Sequence, residues 1–81
     1  MKRIIIYTTT SCPFCEAAKK FLTEKGYTYE EKNVEKDENA LNEMVAKSGQ
    51  WGVPVIEIID DGAPQIIVGF RPHEIEKILK E

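Results

Sequence analysis

The strongest constraint on this chain is a change of hydrophobic period across residues 11–15, "SCPFC". Before it, "RIIIY" at 3–7 is β-branched and aromatic and reads as a buried strand, which the Thr/Ser-rich "TTTS" ends as a loop. After it, Phe14, Ala18, Phe21, Leu22 and Lys25 fall at helical spacing, and Gly26 supplies a C-terminal stop. Pro13 suits the first helical turn, where its missing N–H costs nothing. A strand therefore hands over to a helix within a few residues, and both cysteines of the chain, Cys12 and Cys15, sit at the junction.

The remaining elements follow from the same signals. "YTYEEKNV" at 27–34 alternates and predicts a second strand. Asp37 is placed to cap a second helix with Leu41, Met44 and Val45 as its apolar stripe, and Gly49 ends it. "VPVIEII" at 53–59 and "QIIVGF" at 65–70 read as strands joined by the turn "DDG" at 60–62, a hairpin. Pro72 opens a last helix whose apolar face is Ile75, Ile78 and Leu79. The order β-α-β-α-β-β-α makes the first half a βαβ unit with a right-handed crossover. The second half is an antiparallel hairpin covered by a helix.

Eighty-one residues fit a single domain spanning 1–81. A 42% hydrophobic and 31% charged composition describes a globular chain and excludes a disordered one. The formal charge of −3, with no basic cluster, argues against a nucleic-acid partner. The apolar runs, such as "IIIY", are too short to span a bilayer, so no membrane association is expected. "MKRIII" lacks a signal-peptide core, which makes a cytoplasmic location the expectation. Reducing compartments disfavour purely structural disulfides, and that bears on the two cysteines.

A tetrahedral metal site needs four ligands, of which C-x-x-C supplies two. His73 is the only histidine, so no metal site is expected. A structural staple over so short a loop removes little chain entropy. A working dithiol suits the spacing better. Positions i and i+3 of a helix lie about 5–6 Å apart at Cβ, and a disulfide needs roughly 3.5–4.5 Å. Cys12, at the N-cap, faces unpaired N–H groups and the positive end of the helix dipole, which favour a thiolate. Cys15 lies one turn further in, on the face of Ala18 and Leu22, and is expected to be the more buried sulfur. Cys12 is thus assigned as the attacking thiol and Cys15 as the resolving one. Lys19 and Lys20, and the acidic runs at 30–31 and 35–38, read as solvated surface. Tyr7 reads as a packing residue, and Trp51 as half-exposed beside Val53-Pro54.

"CPFC" at 12–15, "VP" at 53–54 and "GF" at 69–70 before a final helix resemble the glutaredoxins and glutaredoxin-like redoxins, over essentially the whole chain. The resemblance implies an α/β minimal thioredoxin fold, with a four-stranded mixed sheet and three helices. It implies a monomeric dithiol–disulfide oxidoreductase that needs no cofactor beyond its own cysteines. It also implies a cis Val53-Pro54 bond facing the dithiol, and a substrate-binding set of Pro13, Phe14, Trp51, Val53, Pro54, Gly69, Phe70 and Arg71. Two branches of the family are represented. "CPFC" followed by "EAAKKFL" is similar to the glutathione-using members. Those members carry a lysine where this chain has Thr9, and a Gly-Gly pair with an aspartate where it has "GFRPHE". That stretch is similar to the redoxins that reduce ribonucleotide reductase and are recharged by thioredoxin reductase. The expected substrates are disulfide-bearing proteins, and the expected donor is thioredoxin reductase in preference to glutathione. The rival from another class is a carrier of an iron–sulfur cluster held by Cys12 and glutathione.

Overall fold

The structure, a computed structural model, describes residues 2–60 and 62–80. Its elements are β1 (Lys2–Thr8), α1 (Pro13–Glu24), β2 (Glu30–Asn33), α2 (Glu38–Ser48), β3 (Val55–Asp60), β4 (Ala63–Val68) and α3 (Pro72–Lys80). The sheet order is β2-β1-β3-β4, with β1 and β2 parallel and the other two pairs antiparallel. This is the four-stranded mixed sheet with three helices of the thioredoxin-like fold. Asp61 of the expected "DDG" turn lies outside the described residues.

The run "IIIY" is continuous because β1 is central and buried on both faces. Ile4 and Ile6 pack on one face with Ala18 and Leu22 of α1, Ile56 and Ile58 of β3, Ile67 of β4, and Ile75 and Leu79 of α3. Ile5 and Tyr7 pack on the other with Val34, Val55, and Ala40 and Met44 of α2. Two helices therefore cover one face and one helix covers the other. The α2 stripe is rotated from expectation: Ala40 and Met44 are buried, while Leu41 packs only partly and Val45 is half-buried.

Strand ends differ from the sequence reading for identifiable reasons. Residues 27–29 are not in β2, because Gly26 and Tyr27 complete the end of α1. Gly26, at φ 82°, donates to Thr23 O at 3.0 Å, and Tyr27 donates to Leu22 O at 2.9 Å. That paired bonding is a Schellman motif, and its left-handed residue favours glycine. Strand β3 begins after Pro54, which lacks an N–H for the ladder. Strand β4 begins earlier than expected and contains Pro64, opposite Ile59. Gly69 N–H donates to Pro54 O at 2.8 Å, which makes 54/69 a hydrogen-bonded pair and 59/64 a non-bonded one. The missing N–H of Pro64 therefore points to the open edge of the sheet, where it interrupts no bond.

The α2 face carries a chain of polar contacts. Lys32 Nζ lies 2.8 Å from Glu43 Oε1, which accepts from the hydroxyl of Tyr7 at 3.2 Å. Lys47 Nζ donates to the Tyr7 oxygen at 3.4 Å and to Glu57 Oε1 at 2.8 Å. Tyr7 and Glu57 are buried, and desolvation is the main cause raising the tyrosine pKa. Glu57 accepts its side-chain bond from Lys47 alone among the bonds described. Removing that lysine leaves a buried carboxylate unpaired, which costs roughly 3 kcal/mol. Lys47→Met is therefore expected to lower the urea midpoint, and adding Glu57→Leu to restore most of the loss. An unchanged midpoint in the single variant would show that Glu57 does not depend on Lys47.

Candidate active site

The sheet register gathers three loops at one end of the molecule. Tyr7 pairs with Val55, and Val55 pairs with Val68. The C-terminal end of β1, the start of β3 and the end of β4 therefore lie side by side. The 9–12 loop, the Val53-Pro54 step and the 69–71 loop all emerge there.

Cys12 is the N-cap of α1, with extended backbone (φ −134°, ψ 102°). Its sulfur accepts a hydrogen bond from Cys15 N–H at 3.1 Å, the position an N-cap side-chain oxygen would take. Pro13 fills the first helical position. Cys12 and Cys15 are joined as a disulfide, with Cα atoms 5.1 Å apart. Their surroundings differ. Cys15 is 1% exposed and lies on the face of α1 that buries Ala18 and Leu22, whereas Cys12 is partly exposed. In the dithiol form the same N–H group and the helix dipole act on Cys12 as a thiolate.

The Val53-Pro54 bond is cis, and Pro54 is buried. Gly69 holds φ 86°, a conformation that favours glycine, while its N–H bonds Pro54 O. The loop after β4 is thus tied directly to the proline step. Phe14 is 66% exposed and Trp51 is 69% exposed, so Trp51 stands further into solvent than half-exposed. Phe70 is half-buried. Its ring packs edge-on against Phe21, with centroids 5.9 Å apart, and anchors the 69–71 loop to α1. Arg71 is exposed but engaged: Nε donates to Val68 O at 3.1 Å, and Nη1 lies 3.4 Å from Glu74 Oε1.

Sequence reasoning missed the polar groups that support the dithiol loop. Thr8, fully buried at the end of β1, donates from Oγ1 to Glu31 Oε2 at 2.8 Å. Lys19 Nζ meets the same oxygen at 3.0 Å and Glu16 Oε1 at 3.1 Å, so it is not merely part of a solvated helix face. Glu35 Oε1 accepts from Thr10 N–H at 3.1 Å, and Asn33 Nδ2 contacts Thr10 Oγ1 at 3.4 Å. The Asp37 cap, by contrast, is as the sequence predicts: its Oδ1 accepts from Asn39 N–H at 3.0 Å and Ala40 N–H at 3.3 Å. The Glu16–Lys19 pair and the Asp37 cap have local signatures. The bonds Lys19–Glu31, Thr8–Glu31, Thr10–Glu35 and Asn33–Thr10 join residues 12 to 25 positions apart, and no short spacing encodes them.

Two measurements test this geometry. With the protein reduced, limiting alkylating reagent at neutral pH is expected to label Cys12 before Cys15, as read by mass spectrometry. Preferential labelling of Cys15 would reverse the assignment. The Lys19 bond to Glu31, and then that of Thr8, holds the glutamate below its usual 4.5. A carboxylate with a depressed folded value contributes stability above pH 4.5 and loses it as pH falls through that folded value. Glu31→Gln is therefore expected to flatten the acid limb of stability below about pH 4.5, with a small effect because the carboxylate is partly solvated. Parallel acid limbs in the two proteins would contradict this.

Residues 4–69 match the family model for glutaredoxin. An uncharacterized glutaredoxin-like 8.6 kDa protein in the rubredoxin operon of Clostridium pasteurianum is 42% identical over 78 residues, or 96% of this chain and 99% of that protein. Glutaredoxin 3 of Escherichia coli K12 is 36% identical over 58 residues, or 72% of this chain and 70% of that protein. Among solved structures, the glutaredoxin-like NrdH-redoxin from Escherichia coli, described as having a thioredoxin-like activity profile, superposes with a TM-score of 0.78. It is 32% identical and covers 94% of this chain and 93% of that one. With the fold, the dithiol at the helix start and these similarities together, the chain belongs to the glutaredoxin family of thiol–disulfide oxidoreductases.

Proposed function

We propose that this protein reduces disulfides of partner proteins, ribonucleotide reductase being the candidate substrate. Electrons come from thioredoxin reductase in preference to glutathione, and no bound cofactor takes part. The Cys12 thiolate attacks one sulfur of the substrate disulfide, forming a mixed disulfide and releasing the other sulfur as a thiolate, which takes a proton. Cys15, once deprotonated, attacks Cys12 Sγ. The second substrate sulfur leaves as a thiol, and the Cys12–Cys15 disulfide forms as two electrons pass to the substrate.

The observation that carries the choice of donor is the character of the surface around the dithiol. Phe14 and Trp51 present exposed apolar rings, which suit a protein surface. Glutathione presents two carboxylates, each of which needs a cation or a set of N–H groups. Thr9 offers no charge, and Pro72 opens α3 without an N–H. Arg71, the one cation of the 69–71 loop, already bonds Val68 O and faces Glu74. The likeness to NrdH-redoxin supports the same reading.

Steady-state assays with each donor test it. Faster turnover is expected with thioredoxin reductase and NADPH than with glutathione, and efficient glutathione-coupled activity with little from the reductase would sink the proposal. Thr9→Lys with Pro72→Asp is expected to raise the glutathione rate, because it adds contacts and leaves the cysteines untouched. Cys15→Ser is expected to trap a mixed disulfide with substrate, and Cys12→Ser to trap none.

A further inference from the structure

Lys19 lies one turn after Cys15 and two turns after the N-cap Cys12, on the same stripe of α1. Side chains of a helix lean toward its N-terminus, and the 3.1 Å contact with Glu16 Oε1 places the Lys19 ammonium back over the turn that begins at Cys15. Along the α1 axis Lys19 lies four residues from Cys15 and seven from Cys12, a rise of about 6 and about 10 Å. Its side chain is 18% exposed. Left unpaired, such a cation would stabilise a thiolate. It is instead flanked by two carboxylates, Glu31 Oε2 at 3.0 Å and Glu16 Oε1 at 3.1 Å, and the three groups together carry a net negative charge. Glu31 is held in place by the buried hydroxyl of Thr8 at 2.8 Å.

The other charged groups near this end do not replace the lost cation. Lys20 is exposed on the outer side of α1. Glu35, from the loop before α2, is an anion on Thr10 N–H. Arg71, ahead of α3, is turned to Val68 O and Glu74.

We infer that Glu31 is a positioning residue for the redox reaction: by holding Lys19, with Thr8 as its anchor, it withholds positive charge from the dithiol and keeps it strongly reducing. The chemical link is direct. A dithiol whose thiolate is stabilised becomes the better oxidant, because its reduced form is favoured. Offsetting Lys19 acts in the opposite sense and suits a protein that donates electrons. The inference rests on the assignment of Cys12 as the more acidic thiol, and it needs nothing from the choice of electron donor.

The test is the Cys12 thiol pKa, followed by thiolate absorbance in reduced protein, together with the equilibrium against a glutathione redox buffer. Glu31→Gln keeps the shape of the side chain and removes one of the two carboxylates that offset the ammonium, Glu16 remaining beside it. It is expected to lower the Cys12 pKa by about half a unit to one unit, the scale of one charge at this distance in a protein surface. The equilibrium is expected to move threefold to tenfold toward the dithiol, tenfold being about 30 mV for this two-electron couple. Lys19→Met leaves Glu16 and Glu31 uncompensated and is expected to move both readouts the other way. Thr8→Val, which removes only the anchoring hydroxyl, is expected to move them in the same direction as Glu31→Gln and by less. A merely structural role would lower stability in all three variants without opposite shifts in pKa. Shifts of the same sign in Glu31→Gln and Lys19→Met, or none in either, would overturn the inference. A titration in which Cys15 proved the more acidic thiol would instead overturn the assignment of the two cysteines.

Discussion

Strand β1 is the part on which the rest of the molecule depends, because its alternate side chains enter both cores. Ile4 and Ile6 face α1 and α3, and Ile5 and Tyr7 face α2. A one-residue slip would exchange these sets and bury each against the wrong layer. Its register with β3, and that of β3 with β4, therefore cannot drift. The same register lines up Tyr7, Val55 and Val68. The placement of the dithiol loop and the cis proline step at one end of the sheet is thus a consequence of hydrophobic burial on both sides of one strand. Buried side chains hold the loops from below, and few loop contacts are needed to place them.

The features encoded by local spacing were legible in the sequence. Pro13, Asp37, Gly26 and Gly49 mark helix ends because caps are satisfied within a few residues. The burial of Cys15 followed from its place on the stripe of Ala18 and Leu22. What was not legible depends on partners distant in sequence. Nothing near residue 31 announces that one glutamate of the "EE" pair meets Thr8 and Lys19, while its neighbour Glu30 forms an exposed pair with Arg3. Phe70 illustrates the same limit. Nothing in its sequence surroundings announces the edge-on contact with Phe21 of α1. Strand limits were missed where a proline or a turn consumed the backbone donor that the pattern alone would have given to the sheet.

The open edge of β4 shows how hydrogen-bond parity and sequence cooperate. The outward-facing backbone groups on that strand belong to residues 64, 66 and 68, alternate positions set by the Pro54–Gly69 bond. Pro64 removes one donor, and Arg71 Nε covers the carbonyl of Val68. Ile66 alone of the three keeps both groups open to a pairing strand, and one residue is too short a template for edge-to-edge association. Arg71 therefore serves the sheet as well as the 69–71 loop.

Charge around the dithiol follows one pattern. Lys19 is answered by Glu16 and Glu31, Arg71 by Glu74, and Glu35 by a backbone N–H of the dithiol loop. These groups find partners within the protein, whereas Phe14 and Trp51 are exposed. The thiolate then draws its support from the helix terminus, through the Cys15 N–H that points at the Cys12 sulfur and a dipole whose effect falls off within a turn. A diffuse cationic surface would have stabilised the thiolate equally well, but it would also have attracted anionic thiols without discrimination. Confining the stabilisation to the backbone of α1 keeps Cys12 reactive and, on the proposed function, leaves selection of a partner to the exposed rings of Phe14 and Trp51. Acidity and recognition are thus carried by different atoms, and one can vary without the other.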